Sequence, residues 1–235
     1  MLNKRTRLII FSVLVLLIVI SLVEFRGTST FDSNKNNMQS DNKEYINNQK
    51  ITDKKYKIVI DPGHGGKDVG STGVSGQYEK DFTLSVSKKV ENLLKQESQI
   101  DVYMTRADDS FLSQESRYRP KYANELNADL LISIHGNTFD DSSVSGTEVF
   151  YYHKNSRKLA EVLLKHVVEA TGFRDRGAKK QDLFVVKDTE MPAVLIEVGY
   201  LTNPQDESKM WTAEGQNDVA AAIVEGIKEY IYGNF

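Results

Sequence analysis

Apolar and polar positions alternate along most of this chain in two different periods. Five short apolar segments rich in β-branched residues predict strands. They are 56–60, 102–105, 130–134, 147–152 and 194–197. Longer segments with apolar residues three and four positions apart predict helices at 79–96, 156–171 and 215–232. A further helix between Ser113 and Asn127 contains Pro120, which we expect to break or restart it.

Strands that alternate with helices indicate an α/β fold, with a mostly parallel twisted sheet flanked by helices. The run at 130–134 is apolar throughout, which is typical of a strand covered on both faces.

The N-terminal part of the chain has a different pattern. Residues 8–23 form an uncharged, largely apolar run that follows three basic residues, so we predict a signal anchor or signal peptide at 1–26. No Ala-x-Ala-like cleavage site follows, which favours an uncleaved membrane anchor, with a cleaved signal and a secreted protein as the alternative. Residues 27–55 are polar and rich in asparagine, which predicts a disordered linker before a domain at 56–235.

The charge of the chain is divided between these parts. Residues 1–55 hold nine Lys or Arg and five Asp or Glu, a net charge of +4, whereas residues 56–235 hold 21 and 28, a net charge of −7. An acidic domain argues against nucleic acid as a partner, because contacts to phosphate need a basic face. Cysteine is absent, so this exported domain must rely on its apolar core. We expect it to be a monomer.

Three of the predicted strands deliver an ionisable residue close to glycine. His64 follows the first, His135 precedes Gly136, and Glu197 lies two residues before Gly199. Ligands and catalytic groups collect at the carboxyl ends of strands in α/β sheets. Two histidines and a carboxylate are a common ligand set of catalytic zinc. We therefore predict one metal-dependent hydrolytic site.

The third ligand of such a site must be a carboxylate that can approach His64. Glu79 opens the first predicted helix after a glycine-rich loop, and that loop could fold back to bring it there. Asp61 and Asp68 are rival candidates for the same position. Asp61 has two further interpretations, either orienting His64 through a hydrogen bond or stabilising the turn before Pro62.

Six motifs occur in one order along the chain. They are Ile-Asp-Pro-Gly-His-Gly-Gly (60–66), Glu-Lys-Asp (79–81), Met-Thr-Arg (104–106), Ala-Asp-Leu-Leu-Ile-Ser-Ile-His-Gly-Asn (128–137), Gly-Thr-Glu-Val (146–149) and Leu-Ile-Glu-Val-Gly-Tyr-Leu-Thr-Asn (195–203). Together they resemble the zinc-dependent N-acetylmuramoyl-L-alanine amidases that cleave peptidoglycan, the Amidase 3 family. The resemblance implies that His64, Glu79 and His135 bind one Zn²⁺ ion and that Glu197 is the catalytic carboxylate.

The implied reaction is hydrolysis of the amide between N-acetylmuramic acid and the L-alanine of the stem peptide. Zinc would activate water, and Glu197 would pass a proton from that water to the leaving amine. The alternative role of Glu197 is a structural salt bridge. Two alternative functions stay open: another zinc peptidase or deacetylase acting on the cell wall, and a non-catalytic wall-binding protein.

The resemblance also implies a location and a state of the site. The expected partner is peptidoglycan, with the N-terminal segment holding the enzyme on the membrane facing the wall. Some relatives carry an inhibitory helix after the second histidine, but here only residues 138–145 separate Asn137 from Gly146. We therefore expect a site that is open without an activator.

Overall fold

The structure, a computed structural model, describes residues 55–233. The predicted anchor at 1–26 and all but the last residue of the predicted linker at 27–55 lie outside the described residues, so both stay predictions. Within 55–233, no helix combines the length and the apolar composition that crossing a membrane requires.

Six strands and six α-helices make up the described chain. The strands are β1 (Tyr56–Pro62), β2 (Ile100–Met104), β3 (Leu130–Asn137), β4 (Thr147–Tyr151), β5 (Asp175–Lys180) and β6 (Ala193–Tyr200). The helices are α1 (Glu79–Leu94), α2 (Tyr118–Glu125), α3 (Arg157–Thr171), α4 (Phe184–Lys187), α5 (Pro204–Met210) and α6 (Ala213–Tyr232). The α/β class is confirmed, with a six-stranded sheet flanked by helices.

The strands of this sheet lie in the order β2-β1-β3-β6-β4-β5. Four of the five pairings between described strands are parallel, and β4 runs antiparallel to β6. The sheet is therefore mixed rather than wholly parallel. Because β4 and β5 run against the other strands, their amino ends lie at the same edge as the carboxyl ends of β1, β3 and β6.

The core lies on both faces of the sheet. Ile58 and Ile60 pack on the face covered by α1, α3 and α6. Val59 and Leu131 pack on the opposite face, which α2 and α4 cover. The central strands are thus apolar on both faces, and this burial produces the continuous apolar runs by which they were predicted. It also holds their carboxyl ends in place.

Three elements are absent from the sequence-based prediction. β5 reads Asp-Arg-Gly-Ala-Lys-Lys and lies at the edge of the sheet, so little apolar burial marks it. The helices α4 and α5 have four and seven residues, too few to show a helical period. The helix expected from Ser113 begins at Tyr118 instead, with Pro120 in its first turn, where a backbone N–H has no partner within the helix.

Candidate active site

The carboxyl end of the sheet brings two histidines and a glutamate together. One ligand atom each from His64, Glu79 and His135 lies within 4.8 Å of the others. The Oε1 atom of Glu79 lies 3.1 Å from His64 Nε2 and 2.9 Å from His135 Nδ1. Of the three candidate carboxylates, Glu79 contacts both imidazoles, Asp68 contacts only Nδ1 of His64, and Asp61 contacts neither ring.

The chemistry and spacing of this group fit zinc. Tetrahedral zinc with bonds of about 2.0–2.1 Å separates its ligand atoms by roughly 3.4 Å, close to the distances from Glu79 to the two rings. Burial alone would raise the pKa of Glu79, but hydrogen bonds and charges from His135 and His64 hold it well below its usual range. Glu79 therefore offers an anionic oxygen, and three protein ligands leave a fourth position for water or substrate.

Two glycines make room for this arrangement. A Cβ atom on Gly63 would lie 2.3 Å from Cε1 of His135. A Cβ atom on Gly70, whose φ is 68°, would lie 2.7 Å from both Glu79 Oε2 and His64 Cδ2. A side chain at either position would displace a candidate ligand. Glycine at these positions lets the loop fold back into direct contact with the ligands, as predicted.

The orientation of His64 is set by Asp68. His64 Nδ1 donates to Asp68 Oδ1 at 2.9 Å, which leaves Nε2 facing Glu79. Burial raises the pKa of Asp68, but the hydrogen bond and charge of His64 outweigh it and lower that pKa below the ordinary value. Asp68 is thus a partner of a candidate ligand, and such partners fix both the tautomer and the direction of the ring.

The backbone around His64 is held by two buried arginines. His64 itself has a left-handed φ of 60°, a conformation that costs about 1–3 kcal/mol in a residue other than glycine. Arg119 donates to the carbonyl oxygens of Pro62 at 2.7 Å and of His64 at 2.8 Å. Arg106 donates to those of Pro62 at 3.1 Å and Gly63 at 2.7 Å. These four bonds oppose relaxation of the strained turn.

Asp61 supports this frame and does not touch the His64 ring. Its buried carboxylate accepts from Arg119 Nη1 at 2.5 Å, Thr105 Oγ1 at 2.5 Å and Ser133 Oγ at 2.7 Å. Burial raises its pKa, but the charge of Arg119 and the hydrogen bonds together lower the pKa below the usual value. Of the two interpretations of Asp61, a direct hydrogen bond to His64 is wrong. Asp61 instead pairs with Arg119, which donates to the carbonyl oxygens of Pro62 and His64 in the turn.

Glu197 lies beside the candidate ligands without a partner of its own. In the sheet it is the register partner of His135 on β3 and of Glu148 on β4. Its Oε2 atom is buried and makes no hydrogen bond within residues 55–233. Burial, followed by the charges of Glu79 and Glu148, raises the pKa of Glu197 well above its usual value. Among the described residues, this oxygen therefore takes no part in a salt bridge.

A cavity of about 310 Å³ opens in front of these groups. Its lining combines polar and charged groups, among them His64, His135 and Glu197, with the apolar side chains of Phe150, Leu183, Phe184, Val185 and Leu195. The cavity therefore offers a substrate both apolar surface and polar groups.

The sequence pattern does not identify two charged groups near the candidate ligands. Arg119 lines the cavity and is next to Pro120, whose effect on the helix dominates the local pattern; its place at the start of a helix is the signal available for it. Glu148 belongs to the motif Gly-Thr-Glu-Val, which by itself indicates no role for it. Its Oε1 atom accepts from Arg176 Nε at 2.6 Å and from Tyr200 Oη at 2.5 Å, and its Oε2 atom accepts from Lys179 Nζ at 2.8 Å.

A protein family model matches the part of the chain that contains this site. Residues 58–229 match the family model Amidase_3, described as N-acetylmuramoyl-L-alanine amidase. The chain is 42% identical over 177 residues to YqiI of Bacillus subtilis, an uncharacterized protein, covering 74% of this chain and 84% of YqiI. It is 35% identical over 175 residues to LytH of Staphylococcus aureus, named a probable cell wall amidase, covering 74% of this chain and 57% of LytH.

Solved structures share the fold. The catalytic domain of CwlV, an N-acetylmuramoyl-L-alanine amidase from Bacillus (Paenibacillus) polymyxa var. colistinus, aligns with a TM-score of 0.73 at 42% identity, covering 76% of this chain and 99% of that one. An N-acetylmuramoyl-L-alanine amidase from Clostridium difficile 630 aligns with a TM-score of 0.73 at 35% identity, covering 77% and 99%. All four candidate site residues fall within the region that matches the family.

Proposed function

The chain belongs to the N-acetylmuramoyl-L-alanine amidase family, and from this premise we propose that it hydrolyses the amide between N-acetylmuramic acid and the L-alanine of the stem peptide in peptidoglycan. The observation that carries the proposal is the convergence of His64, Glu79 and His135 beside the unpartnered oxygen of Glu197. Hydrolysis of an amide by water needs an electrophilic centre and a proton acceptor, and this arrangement provides places for both.

We assign His64, Glu79 and His135 as the ligands of one zinc ion per chain. When bound, zinc supplies Lewis-acid chemistry, polarising a carbonyl group and lowering the pKa of water. The protein prepares the ligands: Asp68 turns the His64 ring, and Arg106 and Arg119 hold the backbone beneath it. Ligands held in this way need little reorganisation during turnover.

Glu197 is the proposed proton carrier. Its Oε2 atom accepts a proton from the attacking water, and the carboxyl group then delivers that proton to the nitrogen of L-alanine, which leaves as a neutral amine. Burial that raises its pKa makes Glu197 a stronger base than an exposed glutamate. A cation held by the neighbouring ligands would oppose this rise and favour the ionised form of Glu197.

The proposed place of work is the cell wall. LytH is named a probable cell wall amidase, and the anchor predicted at 1–26 would hold this chain on the membrane facing the wall, or release it if cleaved. Between β3 and β4 the chain spans only residues 138–146, which supports a cavity open without an activator.

The test is digestion of purified peptidoglycan by the full chain, with and without a chelator, followed by mass spectrometry. An amidase yields free peptides that begin with L-alanine and glycan strands without peptide, and chelation abolishes both until zinc is restored. Release of D-alanine or acetate instead would establish a carboxypeptidase or a deacetylase. Binding without any product would leave a wall-binding protein.

A further inference from the structure

The strand β5 gives an acidic domain one basic edge. Residues 56–235 carry a net charge of −7, whereas 174–180 hold four Lys or Arg and one Asp. Among the described strands, β5 pairs only with β4. Because both strands run against β6, the amino end of β5 lies beside the carboxyl end of β6 and therefore near the candidate active site.

Two cations of this edge are fixed by a single buried carboxylate. Glu148 Oε1 accepts from Arg176 Nε at 2.6 Å, and Glu148 Oε2 accepts from Lys179 Nζ at 2.8 Å. The Arg176 guanidinium also lies 5.3 Å from the ring of Tyr200, whose hydroxyl donates to Glu148. One negative and two positive charges leave a net charge of about +1. The side chain of Lys179 is 44% exposed, so this charge is open to solvent.

The register of the strands places these cations beside the cavity. Phe150 lines the cavity and is the register partner of Lys179. Glu148, two residues before Phe150, is the register partner of Glu197. Side chains of register partners, and of residues two apart on a strand, share a face of the sheet. Lys179 and Arg176 therefore lie on the face of the sheet that lines the cavity. Glu197 lies between them and the candidate ligands.

We infer that Arg176 and Lys179, held by Glu148, form a binding subsite for a free carboxylate of the stem peptide. The inference rests on the proposed function. At this bond the lactyl carboxyl group of the sugar is already part of the scissile amide, so carboxylates of the substrate come from the peptide side. Among the charged residues that line the cavity, the cation Arg119 is already paired with Asp61, whereas Asp68 and Glu197 carry carboxyl groups. Arg176 and Lys179 therefore supply positive charge for an anionic peptide that the lining itself does not offer.

The experiment compares two muropeptides that differ only in whether the carboxylates of the stem peptide are free or amidated. With the free carboxylate, K179Q in the full chain should raise KM by about three- to tenfold with little change in kcat, as expected for a partly exposed charge pair. With the amidated substrate, KM should stay unchanged. K179R should restore the wild-type preference.

The matched control is K180Q, which removes the same charge from the next residue of β5. The Lys180 ammonium lies 5.0 Å from the ring of Tyr152, whereas the Lys179 ammonium contacts Glu148. An equal rise in KM with both substrates, or an equal effect of K180Q, would overturn the subsite. If the wild-type chain cleaves neither muropeptide, the proposed function fails. Calorimetric binding of the two free peptides to wild type and K179Q then still decides the subsite, and equal affinities overturn it.

Discussion

The two walls of the cavity hold their charged groups in opposite ways. On the ligand wall, formed by β1, α1 and β3, Arg106 and Arg119 are buried and donate to the backbone carbonyls around His64. On the base wall, formed by β6, β4 and β5, the cations Arg176 and Lys179 are partly exposed and pair with the side chain of Glu148.

This difference makes the ligand wall rigid and lets the base wall adapt. A buried arginine that satisfies several carbonyls cannot leave without stranding them and its partner Asp61 in a dry interior, so the ligand wall is a fixed frame. Exposed cations exchange partners with water or a ligand at little cost, so the base wall can adapt to a substrate. The variants below test this contrast.

His64→Ala should have the largest effect, because it removes a proposed ligand from the fixed frame. We expect the variant to lose zinc in metal analysis and to show only the activity of the chelator-treated chain. Asp68→Asn should lower metal affinity by about 10–100-fold, the usual effect of disturbing a partner of a ligand. His166→Ala, which removes a histidine paired with Glu229 on another face, is the control and should keep both. Stoichiometric zinc in His64→Ala would exclude His64 from the ligand set.

Glu197→Gln, on the base wall, should have the second-largest effect. The amide has nearly the same shape but cannot accept the proton, so we expect kcat to fall by about 10²–10⁴-fold while zinc content is unchanged. Steady-state kinetics with metal analysis measures both. A variant that keeps most of its turnover would return Glu197 to a structural role.

Arg119→Met tests how much the buried frame contributes to the free energy of unfolding. It leaves the buried carboxylate of Asp61 without its cation, and we expect the free energy of unfolding to fall by about 3–5 kcal/mol in urea denaturation. Adding Asp61→Asn should recover part of this loss, since the orphaned charge is then removed. Arg157→Met, in an exposed pair with Glu161, should leave stability nearly unchanged. A loss of similar size in both arginine variants would contradict the claim that burial makes the Arg119 frame rigid.

Glu148→Gln should have the smallest effect of the five test substitutions. Its two cations keep contact with water when the carboxylate is neutralised, so we expect a stability loss of about 1–3 kcal/mol, less than that of Arg119→Met. Turnover should fall far less than in Glu197→Gln, although the two glutamates face each other across β4 and β6. A loss equal to that of Glu197→Gln would show that Glu148 takes part in the reaction.

Much of the fold was predictable because burial produces a recognisable pattern of apolar residues in short segments of the sequence. The strands β1, β3 and β6 are covered on both faces and appear as apolar runs, and α1, α3 and α6 show the period of one covered face. The edge strand β5 shows no such pattern, because it buries little apolar surface and its pairing partner is about 28 residues away in the chain. Its existence depends on β4 and not on its own composition.

By itself, the sequence determined which chemical groups this protein can use. It identified His64, His135 and Glu197 at strand ends and three carboxylates as candidates for the remaining position, because residue type and local pattern are properties of short segments. The family resemblance already implied Glu79 for that position. Only the tertiary structure brought Glu79 between the two histidines, paired Asp61 with Arg119, and paired Glu148 with the cations of β5. Those choices depend on the path of a loop and on the direction of one antiparallel strand, which contacts between distant residues decide.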